Sequence, residues 1–266
     1  MESNLFQLLQ QYDQGWNEIN ILISMAEEVA PDKETSDVDR YSSICRAATV
    51  LICARNEGYI KELFRAYFDD INQNIAFNEI KEGLVLNSFT KYYTDKEKFL
   101  RFYNDKLKVM DFKLDYEEFL NPNDEREVKG KNITTSYITK LANKIGYLQL
   151  IESLEISNLK DVFSNDKNEN IECYNKLLEY LIEKSKEFPY EFNLLDYRLV
   201  LPKKNVNNSG LWQGFLDNLI IKRNQIAHGL SRDNLVNTND LKDFLIKSKI
   251  LSLVLTICLT LDYHSK

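Results

Sequence analysis

The sequence predicts an all-α protein, because residues that interrupt helices are scarce and apolar residues recur at helical spacing. The chain has 266 residues, of which only 8 are glycine and 4 are proline, and 44% are hydrophobic. This composition is typical of a globular protein and disfavours a turn-rich β-sandwich. A chain of this length buries a core without disulfides or metals. Its length allows one large domain or two small ones, and we expect one domain with an insertion.

The first predicted element is a helix from Leu5 to Ala26. Apolar residues recur every three or four positions over this span, which places them on one helix face. Pro31 and the polar residues after it end the helix. Ser36 or Asp37 is predicted to cap the next helix by accepting hydrogen bonds from its free N–H groups.

The second predicted helix is long. Apolar residues keep the same period from Val38 to Ile71, and no proline interrupts them. At 1.5 Å per residue this helix would run about 50 Å. A helix of that length normally forms the spine of a bundle, so we predict shorter partners packed along its apolar stripe.

Residues 78–170 are less regular and are predicted to form a mainly helical insertion. Amphipathic pieces fall near residues 95–106 and 134–145. The core would then consist of residues 1–77 and 171–266 of one domain. The pattern leaves open whether the insertion covers the core, grips a substrate or meets a partner, and a packing role is the simplest of the three.

A further helix is predicted over residues 171–188, where Pro189 ends it. The stretch that follows contains residues 197–201, which are predicted to form a short strand or an extended loop. Pro202 comes directly after them and Gly210 closes the stretch, so a regular element is not expected to continue.

Two predicted helices complete the chain. The first runs from Leu211 to His228, and Gly229 is placed to stop it in a left-handed conformation. Thr238 or Asn239 is predicted to cap the last helix, which continues through an apolar run to Leu261.

Charge limits the way in which the chain can meet nucleic acid. The net charge is −7, so the overall field would not attract RNA and binding needs a local basic patch. Residues 198–232 contain a single acidic residue, Asp217, and six cations: Arg198, Lys203, Lys204, Lys222, Arg223 and Arg232. Two interpretations stay open, a solvated loop with a helix end and a surface that faces phosphate.

The cysteines and the chain start indicate a cytoplasmic protein. The four cysteines are far apart and form no Cys-x-x-Cys pair, so we predict buried free thiols rather than a zinc site or disulfides. The first residues show no signal-peptide pattern. The most apolar run, residues 250–261, is too short to cross a bilayer, which needs roughly 20 apolar residues. No cofactor and no membrane association are predicted.

The segment around His228 carries the candidate chemistry. The other histidine, His264, stands near the end of the sequence, where helix ends fray. Asn224 and His228 are four residues apart and share a helix face, whereas Arg223 lies about 140° round the axis and about 7.5 Å along it from His228. One helix therefore does not aim Arg223 and His228 at one atom. Two copies packed about a twofold axis would, which predicts a homodimer.

The run Arg-Asn-Gln-Ile-Ala-His-Gly, residues 223–229, resembles the Arg-x-x-x-x-His signature of HEPN domains. The predicted second helix, with Arg46-Ala47-Ala48 leading to Arg55-Asn56-Glu57-Gly58-Tyr59-Ile60, is similar to the corresponding helix of the RiboL-PSP branch of that superfamily. The resemblance covers the N-terminal helices and residues 171–261 and leaves the insertion outside. It implies a HEPN-like helical bundle.

The resemblance also implies metal-independent cleavage of RNA in a cleft between two protomers. On this basis His228 is assigned as general acid or base, Arg223 as the residue that binds the phosphate, and Asn224 as a positioning residue. The auxiliary residues would be Lys222 and Arg232, which add phosphate contacts, and Glu57, which orients the site from the second helix.

Two functions from different classes follow. The first is an endoribonuclease of HEPN type, acting as a toxin or phage-defence effector and restrained by a cognate antitoxin or a sensor protein. The second is a non-catalytic HEPN-like regulatory module that binds a nucleotide or a protein. In that case Arg223 is a surface side chain and His228 only caps its helix.

Overall fold

The structure is a computed structural model, and it describes residues 2–88, 97, 101, 113–120, 134–147, 149–199, 210–229 and 236–260. Within these ranges the regular secondary structure consists of α-helices and short 3₁₀ helices, with no strand. The predicted all-α fold is therefore confirmed.

The predicted single first helix is wrong, because the chain divides it into three parts. Helix α1 covers Asn4–Gln10, a 3₁₀ helix follows at Tyr12–Trp16, and α2 covers Asn17–Glu28. The 3₁₀ helix brings Gly15 against the side chain of Arg55, where an added Cβ would lie only 2.3 Å from the guanidinium carbon.

Packing of Arg55 explains this break. Its guanidinium lies 6.0 Å from the ring of Trp16 and 5.9 Å from the ring of Tyr59, and it pairs with Glu62 at 2.9 Å. The apolar residues of α1, the 3₁₀ helix and α2 keep the 3.6-residue period of one continuous helix. The period therefore does not reveal the break. The position of the break is set by the contact with Arg55, which lies on the next long helix and is distant in the sequence.

The predicted long second helix is confirmed as α3, which spans the 37 residues Val38–Asn74. Asp37 caps it, since its carboxylate accepts a hydrogen bond from the backbone N–H of Arg40 at 3.0 Å. Helices α1 and α2 and two C-terminal helices all contact α3. It is the spine of the bundle, as its length indicates.

The middle of the chain contributes short helices. They are α4 at Glu82–Ser88, α5 at Tyr116–Leu120, α6 at Thr135–Lys144, α7 at Leu150–Ile156 and a 3₁₀ helix at Asn158–Phe163. Helix α6 confirms the amphipathic piece at residues 134–145, whereas most of residues 95–106 lies outside the described residues. The division into core and insertion stays a prediction.

Helix α8, Lys167–Lys184, replaces the helix predicted over residues 171–188. It begins earlier because Asp166 and Glu169 form a capping box, and it ends before Pro189 at Ser185. A strand near residue 197 is wrong for the part described. Tyr197 ends a 3₁₀ helix and Arg198 is left-handed, with φ 52° and ψ 34°.

The last two helices are α9, Leu211–Ala227, and α10, Thr238–Thr260. Gly229 has φ 64°, as its position predicts. The predicted cap of α10 is wrong by at least one residue. Asn237 accepts from the N–H of Asp240 at 2.9 Å, and Asp240 accepts from the N–H of Asn237 at 3.1 Å, so these two residues form the cap.

Helix α10 runs parallel to α3. Tyr41 accepts from the N–H of Thr238 at 3.1 Å, near the start of both helices. Further along, the hydroxyls of Tyr59 and Thr256 are hydrogen-bonded at 2.7 Å. Asn56 lies between these levels and bonds Ser248 at 3.1 Å. These paired polar groups fix the register in an otherwise apolar interface.

Helix α9 runs antiparallel to α3. The thiol of Cys53 contacts the backbone oxygen of Leu219 at 3.9 Å. One turn later on α3, Glu57 faces Tyr137 of α6, and the neighbouring Thr135 bonds Asp217 at 3.2 Å. Later residues of α3 thus face earlier residues of α9, and the C-terminal end of α9 lies towards the start of α3.

The cysteines partly match their prediction. Cys45, Cys53 and Cys258 are buried free thiols, whereas Cys173 is only half-buried. In the described ranges, no helix has both the length and the apolar character that crossing a membrane requires.

Candidate functional site

The helix that carries the motif is held at its start by a residue from α7. Glu155 accepts from the N–H of Trp212 at 2.7 Å and from that of Leu211 at 2.9 Å. A Cβ on Gly210 would lie 1.9 Å from the Glu155 carboxyl carbon. Gly210 itself has no side chain that could cap the helix. That lack is a signal for a cap from another part of the chain, but no pattern in the sequence identifies Glu155 as the capping residue.

The two faces of α9 have different surroundings. One face is buried and anchors the first turns of α9 against α3, α7 and the 3₁₀ helix at Asn158–Phe163. Its buried residues are Trp212, Phe215, Leu216 and Leu219. On the other face Leu211 is 47% exposed and Ile221 is 54% exposed. The motif follows in the last turns, where burial decreases towards His228.

Arg223 is half-buried and keeps its charge unneutralised by its described neighbours. Its Nη1 donates to Oδ1 of Asn224 at 3.1 Å, and it makes no ion pair with any described residue. Burial raises the pKa of the nearby Cys53 thiol to about 12, and the Arg223 charge acts in the opposite direction. Because the thiol stays neutral, it does not cancel the charge of the guanidinium.

His228 lies at the C-cap of α9. Its backbone N–H donates to the Asn224 carbonyl at 3.0 Å, and Gly229 donates to the Ile226 carbonyl at 3.2 Å. The imidazole is exposed and makes no hydrogen bond to another described residue. The backbone of this turn is therefore hydrogen-bonded, while the His228 side chain lies at the surface.

Of the three predicted catalytic residues, the structure joins Arg223 to Asn224 through their side chains and Asn224 to His228 through the backbone. No hydrogen bond joins the side chains of Arg223 and His228. The five-residue spacing places these two side chains about 140° apart around the helix axis. Within one protomer the arrangement offers an anion-binding guanidinium and a separate proton-transfer group.

The auxiliary residues lie elsewhere. Lys222 places its Nζ 6.0 Å from the centre of the Phe244 ring on α10. Glu57 accepts from Lys61 at 2.8 Å, and it adds to the effect of burial in raising the pKa of Tyr137 to about 12. Among the described residues, no hydrogen bond or ion pair joins His228 to Lys222 or to Glu57. Arg232 lies outside the described residues, as do Lys203 and Lys204 of the predicted basic patch.

No group of three His, Cys, Asp or Glu side chains suited to a metal ion occurs in the part of the chain that the structure describes. The last two turns of α9 instead carry guanidinium, amide and imidazole groups, which bind anions and transfer protons.

Comparison with protein families gives one finding. A model of the MAE_28990-like HEPN family matches residues 1–264. Comparison with curated proteins and with solved structures gave no match. The match includes α1 to α10 and the motif at residues 223–229, and HEPN domains are often ribonucleases or nucleotide-binding modules. The more specific RiboL-PSP-like branch stays a prediction. The chain belongs to the HEPN superfamily.

Proposed function

We propose that this HEPN protein is an endoribonuclease that cleaves RNA without a metal ion. The observation that carries the proposal is that the last two turns of one helix hold both an exposed imidazole, His228, and a half-buried arginine, Arg223, that no described residue neutralises. In an acidic chain with net charge −7, a guanidinium without a carboxylate partner suits a bound anion.

The chemistry balances with these groups alone. A ribose 2′-hydroxyl attacks the adjacent phosphorus and gives its proton to a base, and the bond from phosphorus to the 5′-oxygen breaks. An acid protonates that leaving oxygen, so the products are a 2′,3′-cyclic phosphate and a 5′-hydroxyl. His228 takes the proton from the 2′-hydroxyl and returns it to the 5′-oxygen, Arg223 stabilises the charge on the phosphate oxygens, and Asn224 orients the guanidinium.

A homodimer is part of the proposal. The five-residue spacing sets Arg223 and His228 about 140° apart around α9, so we propose that a second copy brings an arginine and a histidine onto one phosphate. The exposed face of α9 supports this arrangement. Leu211 and Ile221 offer apolar surface, and open space surrounds Gly214, so another helix can approach closely.

The biological setting is proposed as that of a toxin or phage-defence effector in the cytoplasm. An enzyme that cuts cellular RNA has to be restrained, so a cognate antitoxin or a sensor protein is the expected partner. That partner would control the cleavage of the RNA target.

The test compares wild type with His228→Ala on structured and on unstructured RNA in excess EDTA. We expect wild type to leave 2′,3′-cyclic phosphate ends and His228→Ala to leave the RNA intact, since the proton-transfer group is lost. Thermal unfolding of both proteins provides the control for folding. Equal cleavage by both would assign the activity to a contaminant and contradict the proposal.

The alternative is a non-catalytic HEPN module that binds a nucleotide or a protein. One observation favours it: the backbone of His228 already has a structural role as the C-cap of α9. In that case a folded, dimeric wild type cuts no RNA, and His228→Ala binds its partner as tightly as wild type does.

A further inference from the structure

Arg46 on α3 differs from the other half-buried cations of α3 and α10. Arg55, Lys242, Lys247 and Lys249 each pair with a carboxylate, those of Glu62, Glu27, Asp243 and Asp13 respectively. Arg46 makes no ion pair with any described residue. Its Nη1 donates to Oγ of Ser42 at 2.8 Å and its Nη2 to Oγ of Ser43 at 3.2 Å.

The two serine hydroxyls orient the guanidinium without neutralising it. Each accepts one hydrogen bond, so about three of the five guanidinium donors remain for a ligand. Half-burial makes an unpaired charge costly, and acidic residues are abundant in this chain. A positioned arginine that keeps its charge is typical of a site that binds an anion.

The helix register places Arg46 beside the motif. Arg46 precedes Cys53 by seven residues, so it faces the same side of α3 to within about 20° and lies about 10 Å nearer the start of that helix. Cys53 contacts Leu219 of the antiparallel α9. Moving seven residues further along α9 from Leu219 leads to Ile226, in the last turn before His228.

The direction of the side chain strengthens this placement. Helical side chains lean towards the start of their helix, and the contacts with Ser42 and Ser43 show that Arg46 does so. Its guanidinium therefore extends towards the level of His228 and the open end of α9. Arg223 approaches the same interface between α3 and α9 from the other helix, near Cys53.

We infer that Arg46 binds an RNA phosphate next to the one that is cleaved, and this inference rests on the proposed ribonuclease function. A nucleic acid chain presents a phosphate at every nucleotide, and a bidentate arginine suits that group. Arg223 holds the scissile phosphate, and Arg46 fixes the register of the strand across the end of α9. An acidic protein partner would meet the same guanidinium, but the position beside the motif favours the substrate.

The test measures RNA binding in the His228→Ala background, in which the RNA is not cut. A fluorescently labelled single-stranded RNA is titrated at several salt concentrations. Adding Arg46→Ala is expected to weaken binding about 10-fold or more, because a hydrogen-bonded charge contact is lost. The slope of log affinity against log salt is expected to fall by about 0.7, since one phosphate contact is missing.

Three further variants sharpen the result. Arg46→Lys keeps the charge, so it should keep the salt slope while losing part of the affinity. Arg46→Gln removes the charge and keeps donors for the two serines, so it should behave as Arg46→Ala does even if the alanine variant folds poorly. Arg40→Ala is the matched control. Arg40 is an exposed cation on the same helix, about 120° round from Arg46, and its loss should change neither quantity.

Folded Arg46→Ala and Arg46→Gln proteins with unchanged affinity and an unchanged salt slope would overturn the inference. If wild type still cleaves RNA in a His228-dependent way, that result removes only the role of Arg46. A wild-type protein that neither binds nor cleaves RNA would remove the proposed function and this inference together. Lost binding to an acidic partner protein, with RNA binding intact, would likewise overturn the RNA assignment.

Discussion

At the residue scale, Arg223 and His228 lie in two different surroundings at the end of one helix. Arg223 is half-buried between α9 and α3, beside a neutral thiol, while His228 is exposed at the C-cap. Water is partly excluded around the arginine, which strengthens its attraction for an anion. The histidine keeps the access that a proton-transfer group needs. These surroundings match the separate roles that we propose for the two residues.

Arg223→Lys and Arg223→Ala test whether the guanidinium fork matters beyond its charge. We expect Arg223→Ala to lower the single-turnover cleavage rate about 100-fold or more, as for loss of a donor that stabilises the transition state. Arg223→Lys should recover only part of this loss, because lysine does not bind a phosphate through two parallel hydrogen bonds.

The readout is the rate at saturating RNA, so that weaker binding is separated from slower chemistry. Arg40→Ala serves again as the cation control. Full activity of Arg223→Lys would show that a point charge suffices. It would contradict the prediction that the guanidinium binds the phosphate through two parallel hydrogen bonds.

At the element scale, α9 depends on other parts of the chain for its position. Glu155 of α7 satisfies the N–H groups of Leu211 and Trp212, and buried side chains fix the next turns against α3. These contacts set the orientation of α9, and therefore the position of the motif at its C-terminal end. Short helices from the middle of the sequence thus orient the residues of the candidate site.

Glu155→Gln is expected to lower the free energy of unfolding by about 1–2 kcal/mol, because it replaces a charged helix cap with a neutral one. Urea unfolding followed by circular dichroism measures the change. Glu152→Gln, a half-buried position on the same helix, is the control and should alter stability by about 0.5 kcal/mol or less. Equal losses for both variants would mean that the cap does not stabilise α9.

At the scale of the whole molecule, the proposed active site needs two protomers. If each site takes Arg223 from one protomer and His228 from the other, a heterodimer of the two single variants contains one intact site. Mixing Arg223→Ala with His228→Ala and refolding them together should therefore restore about a quarter of wild-type activity, since about half of the dimers are mixed.

Each variant alone must be inactive for this experiment to decide. Ile221→Asp supplies the control, because a charge on the exposed face of α9 should separate the protomers and abolish the restored activity. Ile21→Asp places the same change on an exposed position of α2 and should not. If the mixture stays inactive while remaining dimeric, both residues act within one protomer and the composite site is wrong.

The sequence alone determined the helical class, the long α3, and the end of α9 at His228 and Gly229, because each follows from local periodicity or local backbone preference. It also determined the motif and, through it, the superfamily. Local patterns failed where a distant residue decides. The break before α2 follows from the packing of Arg55, and the start of α9 follows from Glu155.

Only the tertiary structure decided which cations are neutralised. Arg46 and Arg55 look alike in the sequence, since both stand in an apolar stretch of one helix. Folding pairs Arg55 with Glu62 between aromatic rings, whereas it leaves Arg46 held by two hydroxyls near the end of α9. Whether a charge is neutralised depends on the neighbours that other helices and later turns bring to it. Helical periodicity in the sequence does not predict these neighbours.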